Sequence, residues 1–391
     1  FDEDGKVYIL NNDAPEGEPL YEGHRAVWIR EVDAQTFEPV SDAVVAVNGG
    51  LDLSEQPVWI EGPHLYKVDG KYVLSAAEGG TGPQHSQVIL IAKSPLGPFT
   101  PHPDNPILTQ RDLPEDRAEP ITSVGHADFT QDSEGNWWAV FLGTRPYQGN
   151  EYNTGRETFL MPVSWDNGIP RIPKPGDVIP HVIDRPALPA QPKASLPLTG
   201  NFTYTDEFEE DVLPLHWLTV RIPAQKAYRL ENGELVLEAR ADGVGSPGQP
   251  SFLARRQQHT NAEAYTEVSF VPEDSDDEAG IAAFQNDAAY YALGLSMSED
   301  GKAIVRLRKR AGDATDKDGE IVAEVPAAAP LGASLKLRIV SRGPEIDFYQ
   351  AARGDDWEPV ALGEDSTILS TEKAGGFVGT LLGVYAQSAG D

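Results

Sequence analysis

The amino-acid sequence predicts an all-β protein built from β-propeller blades followed by a separate antiparallel β-sandwich. Three observations support this prediction: a tight-turn sequence recurs at a fixed interval, a proline-rich segment interrupts the chain, and short alternating apolar runs follow that segment. The 391 residues also exceed the usual size of a single domain. We therefore expect at least two domains and no helix of ordinary length in either of them.

The repeated turn consists of an acidic residue followed by glycine. It occurs at Asp4-Gly5, Asp69-Gly70 and Glu134-Gly135, so the glycines lie 65 residues apart. Such a pair supplies the positive backbone angles of a tight hairpin, and the apolar or aromatic residues after each pair form the returning strand. A unit of this length accommodates a four-stranded propeller blade. Residues 1–165 therefore form two to three blades, and the early first turn predicts that the chain begins inside a domain.

Proline marks the boundary between the two domains. Residues 166–201 are rich in proline, and such a segment cannot join helices or central strands, so it is predicted to be an extended linker. Residues 202–391 are then assigned to the β-sandwich, because short alternating runs separated by Gly, Asp and Asn are typical of that fold. The clearest of these runs are residues 235–239, 264–270, 290–295, 303–307, 335–340 and 383–386.

Composition limits the possible partners. The chain carries 31 basic and 62 acidic residues, a formal net charge of −31, and such a surface repels phosphate backbones. No apolar stretch approaches the roughly 18 residues of a membrane span. Cysteine is missing altogether, which excludes disulfides, thiolate metal sites and Cys nucleophiles. Nucleic acid and membrane are therefore not expected as partners, whereas neutral carbohydrates and bound cations are compatible with this surface.

The chemically densest segment is residues 59–67 (WIEGPHLYK). Glu61 follows two large apolar residues and precedes Gly-Pro, which is predicted to stop the strand and lead into a loop. A carboxyl group in apolar surroundings tends to have a raised pKa and can hold a proton near neutral pH, as a general acid must. The alternative is an ordinary solvated glutamate at the end of a strand.

Three further strings carry candidate site residues. Residues 77–81 (AEGGT) are followed by His85, and His126 lies in residues 125–128 (GHAD). Each His could be a core imidazole with its hydrogen bonds satisfied rather than a ligand. The chain has no HExxH pattern and no dense His/Asp cluster, which argues against catalytic zinc. Residues 155–158 (GRET) place Arg156 beside a carboxylate, and the alternative here is a surface ion pair.

Taken together, these strings resemble glycoside hydrolase family 43, five-bladed propeller enzymes that include β-xylosidases and α-L-arabinofuranosidases. The resemblance runs through residues 21–28 (YEGHRAVW), residues 61–67 (EGPHLYK) and the three strings just described, in this order. In the second half, residues 251–258, 279–281 and 375–380 resemble the β-sandwich of the larger members. The resemblance therefore covers nearly the whole chain.

The resemblance implies a role for each matched residue. Glu61 corresponds to the general acid that protonates the departing glycosidic oxygen, and Arg156 to the arginine that contacts the sugar and influences the acid. Thr81 corresponds to a substrate-pocket position. His126 corresponds to the histidine at the propeller centre, which holds a water or a calcium ion. Phe377 corresponds to an aromatic residue on a sandwich loop that reaches over the pocket, although it could instead be a strand-end residue of the sandwich core.

One departure from the family pattern concerns the two aspartates that act as general base and as orienter of the acid. Both would precede Phe1, so the chain is expected to be an internal fragment carrying the acid without these partners. Inverting hydrolysis needs a base on the opposite face of the sugar. The fragment alone is therefore expected to be nearly inactive.

The functional prediction refers to the complete protein. It is an inverting exo-glycosidase that releases terminal xylose or arabinofuranose from arabinoxylan or xylo-oligosaccharides, with no required cofactor and a possible Ca²⁺ at the propeller centre, bound by His126 through water. Secretion is expected, with the signal region lying before Phe1. The alternative is a carbohydrate-binding protein without hydrolysis. The sequence alone does not decide between xylosidase and arabinofuranosidase.

Overall fold

The computed structural model describes residues 2–172, 176–189, 192 and 200–388, and its contacts divide the chain into two units. The first unit comprises Phe1–Arg145 and Arg156–Ala190, and the second comprises Pro146–Gly155 and Gln191–Asp391. The all-β prediction is confirmed, since the one α-helix among the described residues, α1, has four residues (Thr371–Ala374). No helix in this part of the chain is long and apolar enough to cross a membrane.

The predicted domain limits, 1–165, 166–201 and 202–391, stay predictions. Parts of the proposed linker, residues 173–175, 190–191 and 193–199, lie outside the described residues.

The first unit consists of antiparallel strands in three sheets. Their orders are β1-β2-β3, β4-β5-β6-β7 with β8 paired to β6, and β12-β11-β10-β9. These three sheets agree with the two to three blades that the turn period predicts. The strands are β1 (Val7–Asp13), β2 (Ala26–Val32), β3 (Val44–Asn48), β4 (Glu61–Val68), β5 (Lys71–Glu78), β6 (Ser86–Ala92), β7 (Thr100–Pro101), β8 (Leu108–Thr109), β9 (Thr122–Gln131), β10 (Trp137–Thr144), β11 (Glu157–Asp166) and β12 (Ile169–Arg171). A short 3₁₀-helix spans Leu53–Glu55.

The three acidic-glycine turns lie where the sequence predicts them, but they are of two kinds. Asp69 and Gly70 connect β4 and β5 with φ values of 50° and 73°, as a two-residue hairpin turn requires. Gly5 and Gly135 lie in longer turns, each donating its N–H to the carbonyl oxygen of the residue three positions earlier, Asp2 or Asp132, at 3.1 Å. In all three turns glycine adopts a positive φ, which explains why the motif recurs.

The second unit contains the predicted β-sandwich. One sheet has the order β13-β16-β25-β18-β19-β20-β21, the other β17-β22-β23-β24, and β14 and β15 form a hairpin. The strands are β13 (Leu218–Thr219), β14 (Tyr228–Glu231), β15 (Glu234–Leu237), β16 (Ser251–Arg256), β17 (Asn261–Val268), β18 (Glu278–Asn286), β19 (Ala289–Met297), β20 (Ala303–Ala311), β21 (Glu320–Pro326), β22 (Leu335–Arg342), β23 (Glu345–Ala351), β24 (Glu358–Asp365) and β25 (Leu381–Gln387). A 3₁₀-helix spans Ser366–Leu369 and precedes α1.

The main core of the second unit lies between its two sheets. Ile281 and Leu293 from the seven-stranded sheet belong to the same buried cluster as Leu337 and Phe348 from the four-stranded sheet. Strand β17 alternates exposed and half-buried side chains along its length, as a sheet with one solvated face requires. This alternation confirms the pattern from which the sandwich was predicted.

Candidate active site

Glu61 begins strand β4, where it pairs with Ala77 of β5. The register shifts between Glu61 and His64, so Gly62 and Pro63 form a β-bulge. The expectation that Gly-Pro stops a strand after Glu61 is therefore wrong. Gly62 supplies a φ of 55°, and a bulge tolerates a proline that cannot donate to the sheet, so the strand continues to Val68.

His126 is the side chain that the structure brings next to Glu61. It lies on β9 with a φ of 56°, at a register shift between β9 and β10. Its Nδ1 lies 3.9 Å from Oε1 of Glu61, and the two side chains are 36% and 29% exposed. This separation permits an electrostatic interaction but is too long for a direct hydrogen bond. Both groups remain accessible to a ligand.

Arg156 and Thr81 form a second contact in the same unit. Nη1 of Arg156 donates to Oγ1 of Thr81 at 3.4 Å. The neighbouring carboxylate, Glu157, is bound by Arg145 through two hydrogen bonds of 2.7 Å. Glu157 is therefore held by Arg145, and a bidentate pair of this kind holds the start of β11 in place.

Glu78 is a buried carboxyl group that the sequence analysis did not select. It ends β5, is 8% exposed and accepts a hydrogen bond of 2.8 Å from the backbone N–H of Leu51. Burial raises its pKa. Gly50 makes room for it, since a Cβ there would lie 2.5 Å from Oε2 of Glu78. The string Ala-Ala-Glu-Gly-Gly contained this signal, because the carboxyl follows two small apolar residues.

The donor set around His126 does not form a calcium site by itself. Among the described residues, no group of three or more His, Cys, Asp or Glu side chains is placed to hold a metal ion. Calcium takes six to eight oxygen ligands, of which an imidazole supplies none and the single carboxylate 3.9 Å from it at most two. We therefore assign no catalytic step to a metal here.

Phe377 lies in the second unit, in the segment between α1 and β25. Its side chain is 58% exposed, and Gly375 and Gly376 before it have φ values of 78° and 71°. The alternative of a core phenylalanine is therefore wrong. Its predicted contact with substrate stays a prediction.

The site residues of the first unit lie at the strand ends opposite the acidic-glycine hairpin of β4 and β5. Glu61 starts β4, Glu78 ends β5, and Thr81 follows in the loop to β6. A carboxyl group in this position can donate a proton, and a guanidinium such as that of Arg156 can bind sugar hydroxyls or stabilise developing negative charge. Protonation of the leaving oxygen by a carboxyl group is central to the cleavage of glycosidic bonds, so the fold and site together define a glycoside hydrolase.

Comparisons with known proteins agree with this class. Residues 1–170 match the family described as glycosyl hydrolases family 43, and residues 205–391 match the β-xylosidase C-terminal concanavalin A-like domain. The chain is 34% identical to a non-reducing end α-L-arabinofuranosidase of Bacteroides ovatus, over 99% of this chain and 68% of that protein. It is 32% identical to a xylosidase/arabinosidase of Butyrivibrio fibrisolvens, over 100% of this chain and 72% of that protein.

A solved structure shows the same fold. A GH43_12 protein retrieved from capybara gut metagenome superimposes with a TM-score of 0.84 at 33% identity, covering 99% of this chain and 71% of that one. The chain therefore belongs to glycoside hydrolase family 43. The sheets of its first unit are blades of a five-bladed β-propeller, and those of its second unit form a concanavalin-like β-sandwich.

Proposed function

We propose that the protein is an inverting, exo-acting glycosidase that removes terminal arabinofuranose or xylose from arabinoxylan or xylo-oligosaccharides. The observation that carries this proposal is the position of Glu61, a partly exposed carboxyl at a strand end with His126 3.9 Å away. The names of the related proteins, which include both arabinofuranosidase and xylosidase, support these two sugars. The net charge of −31 favours neutral over anionic saccharides.

In this proposal Glu61 protonates the departing glycosidic oxygen. Arg156 and Thr81, joined by their 3.4 Å hydrogen bond, bind sugar hydroxyls, and His126 contacts the sugar beside the acid. Inversion also requires a base carboxylate about 6.5–9.5 Å from the acid, with a water between them.

The first test compares nitrophenyl α-L-arabinofuranoside with nitrophenyl β-D-xyloside and follows the anomer of the released sugar by NMR. We expect release of one or both sugars with inverted configuration. Retention of configuration would contradict the mechanism. Binding of xylo-oligosaccharides without release of sugar would instead support a non-catalytic carbohydrate-binding protein.

The second test assigns the acid. Glu61→Gln removes the transferable proton and should lower kcat on natural oligosaccharides by about 10²- to 10⁴-fold, the typical contribution of general acid catalysis. Activated aryl glycosides should lose much less, because their leaving groups need little protonation. Glu134→Gln, in an exposed turn, is the control and should leave both rates unchanged. Equal losses on the two substrate types would contradict the assignment.

A further inference from the structure

His85 is a buried imidazole close to the proposed acid. Its residue is 1% exposed, and Nδ1 lies 2.9 Å from the carbonyl oxygen of Ser123. Because a carbonyl only accepts, Nδ1 carries the proton. The backbone also holds His85, which donates its N–H to Gly82 at 2.9 Å and accepts from the Thr109 hydroxyl at 3.0 Å. The ring is therefore fixed in position and tautomer.

Burial keeps this ring neutral. Burial is the largest cause of a pKa of about 4 for His85. The hydrogen bond to the Ser123 carbonyl opposes this shift, and the neighbouring His126 and Arg156 contribute to it. At neutral pH, Nε2 therefore presents a lone pair rather than an N–H. No donor among the described residues reaches this atom. The orientation of the ring is thus set by the hydrogen bond at Nδ1 and by packing.

His85 and His126 pack together between two glycines. Their ring centroids lie 6.4 Å apart with the planes at 65°, an edge-to-face contact. A Cβ at Gly62 would lie 2.2 to 3.0 Å from the His126 ring, and a Cβ at Gly125 would lie 2.8 to 2.9 Å from the His85 ring. Gly62 thus faces the His126 ring, this ring contacts the His85 ring, and the His85 ring faces Gly125. A side chain at either glycine would have to displace a ring.

The backbone on this side of the site is irregular. Strand β9 shifts register against β10 twice, and both Ser123 and His126 have positive φ values, 54° and 56°. Non-glycine residues rarely adopt this conformation, and it persists where the surroundings hold it. The hydrogen bond from His85 holds the backbone at Ser123, and the contact with the His85 ring holds His126.

We propose that His85 is a positioning residue for the acid: it holds the His126 ring in place beside the Glu61 carboxyl. The packing supports this role because His126 has no direct hydrogen bond to Glu61, whose nearest oxygen is 3.9 Å from Nδ1. The ring is therefore located by its contacts with Gly62 and His85. This inference rests on the proposed function, in which Glu61 is the general acid.

The test is a double-mutant cycle in the full-length enzyme. His85→Asn retains an amide N–H that can reach the Ser123 carbonyl but removes the ring behind His126. We expect kcat on natural oligosaccharides to fall by roughly 10- to 100-fold, since a displacement of about 1 Å can cost that much. KM and the rate on activated aryl glycosides should change little. Adding His85→Asn to Glu61→Gln should then cost almost nothing more.

The control is His102→Asn. His102 accepts a hydrogen bond of 3.2 Å from the backbone N–H of Asp104. It lines the same cleft as Lys71, which lies at the opposite end of β5 from Glu78. We expect its kinetics to match the unaltered enzyme. A His85→Asn loss that is the same on both substrate types, or that is fully additive with Glu61→Gln, would show a merely structural role.

A second variant covers the case in which His85→Asn does not fold. Gly125→Ala keeps the imidazole but adds a Cβ within 2.9 Å of its ring, and Gly125 does not require a positive φ. As for His85→Asn, we expect kcat to fall on natural oligosaccharides and to change little on activated aryl glycosides. If Gly125→Ala retains full kcat on natural substrates, the inference fails. If Glu61→Gln itself shows no dependence on leaving group, the proposed function fails instead, whatever His85 does.

Discussion

At the scale of single residues, Gly62 meets two requirements at once. Its φ of 55° lies in the left-handed region, and a Cβ there would lie 2.2 Å from Nε2 of His126. The first requirement is a property of the backbone, whereas the second is a property of the site. Gly70 has only the first requirement: its φ is 73°, but a Cβ added there would have no neighbouring atom within 4 Å. Comparing substitutions at Gly62 and Gly70 therefore distinguishes the effect of the backbone from that of the site.

We expect Gly62→Ala to displace the His126 ring and to lower kcat by at least as much as His85→Asn. Both Gly62→Ala and Gly70→Ala should reduce stability by about 1 to 2 kcal/mol, because alanine is strained in the left-handed conformation. Only Gly62→Ala should change kcat. Urea unfolding and steady-state kinetics on the two variants measure both effects. Equal kinetics in both variants would show that His126 does not need its observed position.

The residue types of the site could be predicted from sequence, but not their environments. The strings around Glu61, Thr81, His126 and Arg156 identify candidates because proton donors and sugar-binding cations are limited to a few side-chain types. The two alanines before Glu78 make it a candidate, but the extent of its burial could not be derived, because it depends on Gly50 and Leu51, about 27 residues away. Nor could the bulge after Glu61, since Gly-Pro also ends strands.

At the scale of elements, the seven-stranded sheet of the sandwich contains a buried charged cluster. Glu278 at the start of β18 is fully buried, lies 3.1 Å from Nε of Arg308 on β20 and accepts from the hydroxyl of Tyr385 on β25. Gly294 on β19 lies between these strands, and a Cβ there would be 2.3 Å from Cγ of Glu278. The cluster thus joins four adjacent strands of one sheet.

We expect Glu278→Ala to destabilise the protein by about 3 to 5 kcal/mol, because it leaves the Arg308 charge buried without its partner. Glu324 provides the control. Its carboxylate binds Arg306 at 3.1 Å but is 41% exposed. Without it, Arg306 keeps the Ser275 carbonyl at 3.0 Å and Glu278 at 3.9 Å, so Glu324→Ala should cost at most about 1 kcal/mol. Denaturant unfolding of both variants measures the difference. Similar losses would mean that burial of the ion pair contributes little.

The positions of strands along the chain could be predicted from sequence, whereas their order within a sheet could not. The run at residues 335–340 lies within β22, and the run at residues 383–386 within β25. Local alternation reveals such strands, since it reflects which face is buried. The placement of β25 between β16 and β18 could not be predicted, because that pairing joins residues about 100 or more positions apart.

At the scale of the whole molecule, one segment of the first half belongs to the second unit. Asn153 donates to the Ser366 hydroxyl at 2.8 Å, and Thr380 donates its backbone N–H to the Asn153 carbonyl at 2.8 Å. Gly155 is in tight contact with Gly379, since a Cβ at Gly155 would lie 2.4 Å from its nitrogen. Sequence could not reveal this, because the partners are over 200 residues away and the segment has no strand pattern.

The last prediction concerns Phe377, whose role the family resemblance assigns to the substrate pocket. The side chain is 58% exposed, so Phe377→Ala leaves no large core cavity and Tm should hardly change. If the ring is covered by bound sugar, the substitution should weaken binding by about 1 to 3 kcal/mol and raise KM accordingly. Tyr265→Ala, at 51% exposure in the same unit, is the aromatic control and should leave KM unchanged. An unchanged KM in Phe377→Ala would remove Phe377 from the substrate-binding residues, while an equal rise in both variants would indicate a general effect of losing a surface aromatic ring.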